Sequence, residues 1–86
     1  MPRISQFFGV TIVMYFNDHA PPHFHARYGD HESAIAIDTL GPLWGDLPQR
    51  ALALVLEWAV QHREELSADW ERARQGLPLA PIAPLT

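Results

Sequence analysis

Cysteine is absent from the 86 residues. That excludes a disulfide framework, a thiolate metal site and a thiol nucleophile, so any metal site has to be built from His, Asp or Glu. Lysine is missing too. The six basic residues are all arginines, set against ten acidic ones, for a formal net charge of −4 with neutral histidines. This is too little positive charge for a broad basic face on long nucleic acid, which binds by having many phosphates neutralised; a small, local RNA contact stays compatible with it. No apolar run approaches the roughly 18 residues that a membrane span requires. The opening Pro2-Arg3-Ile4-Ser5-Gln6 lacks the charged-then-apolar pattern of a signal peptide, so a cytoplasmic location is expected. Phosphate-binding glycine loops, nucleophile elbows and internal repeats are also lacking.

What remains is apolar and aromatic enough to fold. Hydrophobic residues make up 48% of the chain, with three Trp, four Phe and two Tyr, and the length suits a single domain. The pattern predicts an α+β domain: a small antiparallel sheet of three to four strands at the N-terminal side, packed against one or two C-terminal helices. Strands are expected over 9–16, where β-branched and aromatic residues run together, and over 23–28 and 32–38, with a short fourth over 42–45. Between the first two, Asn17-Asp18-His19-Ala20-Pro21-Pro22 must be a loop, because two prolines supply no backbone donors.

The 23–28 and 32–38 segments carry a register. Gly29-Asp30 fits a two-residue hairpin turn with Gly first, which places Tyr28 opposite His31, Arg27 opposite Glu32, His25 opposite Ala34 and Phe24 opposite Ile35. Phe24, Ala26, Ser33, Ile35 and Ile37 then face a core, and His23, His25, Arg27, Glu32, Ala34, Ala36 and Asp38 share the other side.

Helices are expected over 48–66, with Pro48 at the first helical position, and over 67–75, with Ser67 as cap and an end before Gly76. An unbroken helix is the competing expectation. Apolar residues from Ala51 to Val60 cover most of the first helix, where a surface helix needs only one apolar face. The excess predicts a homo-oligomer or a small protein partner on the second side. The tail 77–86 has proline at every third position, favouring an extended left-handed helix with Leu79, Ile82 and Leu85 on one stripe. It either folds back on its own domain or reaches to a neighbour.

The chemistry gathers between Asn17 and Tyr28. His23 and His25 leave one strand face about 6 to 7 Å apart, close enough for two imidazoles to meet on one ion. His19, on the proline loop, is the candidate third ligand for a divalent transition metal such as zinc, with Asp18 or Asp38 as an oxygen ligand or supporting hydrogen-bond partner. A metal-free alternative uses His23 and His25 as acid and base beside Arg27, which would hold a phosphate in ribonuclease-like chemistry, with Asn17, Asp18, Tyr28 and Glu32 as binding groups. A third alternative is purely structural: the rings stack on Tyr15, Phe24 or Trp44, and Arg27 pairs with Glu32 across the strands. His31 and His62 lie outside the cluster and are expected to be structural.

Four segments together resemble a known family: Met1-Pro2-Arg3-Ile4-Ser5, the run from Met14-Tyr15-Phe16-Asn17-Asp18-His19 through Ala20-Pro21-Pro22-His23-Phe24-His25-Ala26, Leu54-Val55-Leu56-Glu57-Trp58-Ala59 with His62-Arg63-Glu64-Glu65-Leu66, and Trp70-Glu71-Arg72-Ala73-Arg74-Gln75-Gly76. They look like the bacterial domain-of-unknown-function family 4160. The resemblance implies no settled activity. It implies a small bacterial protein often encoded beside a second small family, domain of unknown function 2442, in an arrangement similar to toxin-antitoxin pairs, and hence a protein partner.

Overall fold

A computed structural model describes residues 2–86. Five strands form one antiparallel meander in chain order: β1 (Arg3–Phe7), β2 (Val10–Val13), β3 (His23–Tyr28), β4 (His31–Ala36) and β5 (Pro42–Asp46). Two helices follow, α1 (Gln49–Gln61) and α2 (Arg63–Arg74). The α+β class holds, but the sheet has five strands rather than three to four. The extra one is β1, joined to β2 by the two-residue turn Phe8-Gly9, both with positive φ (46° and 83°). Such mirror-image turns suit the sheet's right-handed twist, yet phenylalanine is an unusual residue to supply one. The expected 9–16 strand pairs only as Val10–Val13, because the chain turns away to form the loop over the site.

The β3–β4 register is the expected one: Tyr28 pairs with His31, Arg27 with Glu32, His25 with Ala34 and Phe24 with Ile35. Gly29 has φ 57° and Asp30 does not share it, as a turn with Gly first requires. On β5, Gly45 is needed for a different reason. Its φ is +74°, and a Cβ there would lie 2.2 Å from the Glu32 carbonyl oxygen, so no other residue lets β5 lie against β4 in this way.

One sheet face carries Val10, Ile12, Phe24, Ala26 and Ile35 into a core completed by Ala51, Val55, Trp58, Ala59 and Leu66 from the helices. Trp58 is fully buried, with ring centroids 5.4 Å from Phe7 and 6.0 Å from Phe24. The helices break at His62 (φ −129°), not between Leu66 and Ser67, and Ser67 lies inside α2. Pro48 is the residue flanking α1 rather than its first turn. At the other end α2 stops before Gly76 as expected: Gly76 adopts φ 72°, Leu77 NH reaches the Arg72 carbonyl at 2.8 Å and Gly76 NH the Ala73 carbonyl at 3.3 Å. That pair of bonds satisfies carbonyls that the helix end would leave open.

The tail folds back on its own domain. Ile82 NH donates to the Ile4 carbonyl and Trp58 Nε1 to the Ala83 carbonyl, both at 2.8 Å. Ala80 NH donates to Oδ1 of the fully buried Asp69 at 2.9 Å, and Arg72 Nη1 meets the same oxygen at 2.7 Å. Ile82 is buried, with Leu79 and Leu85 packed beside it, so the stripe the prolines align covers part of the apolar excess assigned to a partner. Among the described residues, no helix is long and apolar enough to cross a membrane.

Candidate metal centre

On the opposite sheet face, β3 presents His23 and His25. Their cross-strand partners are Ala36 and Ala34, and those small side chains leave room for both imidazoles to lean together. The loop 14–22, Trp44 of β5 and Trp70 of α2 surround them. The Tyr15 ring meets His25 edge-on at 4.5 Å and Trp44 lies 5.4 Å away, while Trp70 of α2 sits 5.2 Å from His23. Both histidines are buried.

The loop turns Asp18 inward. Asn17 takes a left-handed φ of 55°, which asparagine tolerates better than most residues, and its NH donates to the Ala73 carbonyl at the end of α2 at 3.4 Å. Asp18 Oδ1 accepts from His19 NH at 2.8 Å, and Oδ2 points at the two rings: His23 Nε2 at 2.9 Å and His25 Nε2 at 3.2 Å. Burial alone would raise the Asp18 carboxyl pKa, but the His19 NH, the His25 ring and the His23 ring outweigh it and hold it below the usual 3.8. The ionised carboxylate is thus the resting form at neutral pH.

Hydrogen bookkeeping around the rings decides what the site accommodates. His23 Nδ1 lies 2.7 Å from the Pro21 carbonyl oxygen. A carbonyl only accepts, so Nδ1 carries the hydrogen and donates, and in the neutral ring Nε2 bears the lone pair. His25 Nδ1 is 3.3 Å from Glu32 Oε2 without hydrogen-bond geometry and is buried; a hydrogen on Nε2 donates to Asp18 Oδ2, whereas a hydrogen on Nδ1 leaves the lone pair on Nε2. In the second tautomer two nitrogen lone pairs and an anionic oxygen face one another. A divalent cation placed among them would accept from all three atoms, an arrangement that the shared aim of both rings at Asp18 Oδ2 permits.

The donor set could hold a metal ion. Asp18, His23 and His25 each offer a ligand atom, all within 4.8 Å of one another. A tetrahedral ion with bonds of about 2.0–2.1 Å sets its ligand atoms about 3.3 Å apart, close to the two nitrogen-to-oxygen separations above. Around the rings, the Pro21 carbonyl accepts from His23 Nδ1, and the Glu32 carboxylate lies beside His25 Nδ1 at 3.3 Å. Glu32 Oε1 is fixed by Arg27 Nε at 3.0 Å, and Arg27 Nη2 donates to the Tyr15 hydroxyl at 2.6 Å. Histidine ligands are oriented this way in metal proteins.

A cleft of about 510 Å³ opens beside the three ligands. Its lining includes Phe16, Leu43 and Trp44, 42%, 44% and 51% exposed, with Tyr15, Asn17, His19, Ala20 and Pro21.

Several expected site residues fall elsewhere. His19 is exposed and lines the cleft, but the third corner of the ligand group is Asp18; its backbone, rather than its ring, serves the site. Asp38 is exposed, with its carboxylate taken by Thr39 NH. Tyr28 faces away, lining a second cleft with Phe8, Arg50 and Leu54. Arg27 is engaged by Tyr15 and Glu32 and does not line the main cleft, so it is not presented to a phosphate there. The two histidines aim at one shared oxygen of Asp18. His62 lies outside the cluster, its ring tilted against Trp58 at 5.4 Å and hydrogen-bonded to Glu65. The Pro21 carbonyl was not foreseeable from residue type.

A family model described as a domain of unknown function (DUF4160) matches residues 9–71. No curated protein and no solved structure matches the chain.

Proposed function

The chain belongs to the DUF4160 family, whose description carries no activity, and from its own side chains we propose that it is a metal-binding domain. A single divalent transition ion, with zinc the best fit to two imidazoles and one carboxylate, is held by His23 Nε2, His25 Nε2 and Asp18 Oδ2. The observation that carries this reading is the shared aim of both Nε2 atoms at one carboxylate oxygen, with His23 Nδ1 already committed to the Pro21 carbonyl. Three protein ligands leave a position open toward the cleft. A bound ion there supplies Lewis acidity to a water or a substrate oxygen. Tyr15 and Trp44 pack on His25, and the Arg27–Glu32 pair lies beside its Nδ1.

Elemental analysis of untagged protein tests this. About one equivalent of metal, lost in His23→Ala and in His25→Ala, is expected; untagged protein that takes up no metal even when supplied with zinc rules the reading out.

A small protein partner is the second reading, in a toxin-antitoxin-like pair with a DUF2442-type protein or as a homo-oligomer. Supporting it, Phe8 and Val60 stay 62% and 55% exposed, with Leu54 and Leu56 only half-buried; a contiguous apolar patch marks an interaction surface. Co-elution of the two proteins, abolished by Val60→Asp, is the expected result. A monomer that ignores its neighbour rejects it.

A further inference from the structure

Resting on the metal reading, we propose that the cleft's ligand is a small aromatic monocarboxylate, its carboxylate on the ion and its ring against Trp44 and Phe16. Charge gives the first argument. Among the residues lining the cleft, Asp18 is the one carboxylate and there is no arginine; the chain has no lysine. With neutral histidines, a divalent ion beside Asp18 leaves a net charge of +1, which one negative charge neutralises. A phosphate ester dianion would need a further cation that the lining does not supply, and an amine would be repelled.

The walls give the second argument. Trp44, Phe16 and Leu43 keep large apolar surfaces open around a polar centre, the usual composition of a small-molecule site: apolar lining with a few convergent polar groups. A cleft of about 510 Å³ is within the range of such sites. A flat ring covers the two aromatic walls at offset or edge-on geometry, which an aliphatic acid does not reproduce.

The test uses untagged, metal-free protein titrated with cobalt(II), followed by benzoate, acetate or inorganic phosphate added to the cobalt-saturated protein. Benzoate is expected to change the cobalt absorption spectrum and quench tryptophan fluorescence with a Kd at least about tenfold below that of acetate or phosphate. In cobalt-saturated Trp44→Ala protein that preference should shrink to about that of acetate. Cobalt binding with benzoate no tighter than acetate, or with phosphate preferred, overturns the ligand assignment and leaves the metal reading intact; so does a preference that survives Trp44→Ala. Failure to bind cobalt overturns both.

Discussion

The two faces of β3 bury alternate side chains of the same six-residue strand to a similar depth and hold them by different means. Phe24 and Ala26 enter a helix-covered core whose members ask only for volume and contact. His23 and His25, one residue out of step, enter a pocket walled by a loop and two tryptophans, Trp44 and Trp70, where every nitrogen must be matched to a hydrogen, a lone pair or an ion. Apolar burial is non-directional and tolerates small errors. The histidine face tolerates few, since an unmatched buried polar atom costs about 1–3 kcal/mol. The fold therefore depends on one face and the chemistry on the other, and variants should separate them.

The largest effect should come from the core side. Trp58→Ala removes a fully buried ring and its bond to the Ala83 carbonyl, and should cost about 3–5 kcal/mol in urea denaturation. Against a total stability of about 5–15 kcal/mol for such domains, that brings the chain close to unfolding. Next comes the site side: His25→Ala should weaken zinc binding at least about 100-fold, or about 2.7 kcal/mol, by calorimetric titration. Zinc at about 100 times its Kd should raise the wild-type Tm by on the order of 10 °C and that variant's by no more than about 3 °C. A core variant that lost zinc affinity while still folded would show that the faces are not separable.

Smaller changes sharpen the comparison. Glu32→Gln keeps the shape of the side chain but removes the negative charge 3.3 Å from His25 Nδ1, and should lower zinc affinity about 10- to 100-fold with little change in metal-free stability. The smallest effect is on pH dependence. Asp18 is a stronger acid folded than unfolded, so its contribution is complete above the unfolded value near about 3.9 and is lost as pH falls through the lower folded value. Asp18→Asn should accordingly flatten the stability curve of metal-free protein between about pH 5 and pH 2, read from urea midpoints.

How legible each face was follows from the same contrast. Strand alternation and Gly29-Asp30 encode the β3–β4 hairpin locally, so its register and the shared face of His23 and His25 could be read directly. β1 could not: Arg3 to Phe7 is short, its pairing is interrupted by an irregularity between Arg3 and Ser5, and its turn uses Phe8 at φ 46° where Asn, Asp or Gly is expected. The break at His62 has no proline or glycine to announce it. Within the site, residue type favoured His19 as the third ligand, but the Asn17 bend and the His19 NH bond turn Asp18 inward instead. A loop's conformation, rather than its composition, selects which side chain reaches the centre.

Diffraction from crystals of untagged, zinc-soaked protein, measured on both sides of the zinc absorption edge, tests the central claim most directly. The account predicts one anomalous peak about 2.0–2.2 Å from His23 Nε2, His25 Nε2 and an Asp18 carboxylate oxygen. A site with no peak, and both rings instead hydrogen-bonded to Asp18 through their own protons, would contradict it.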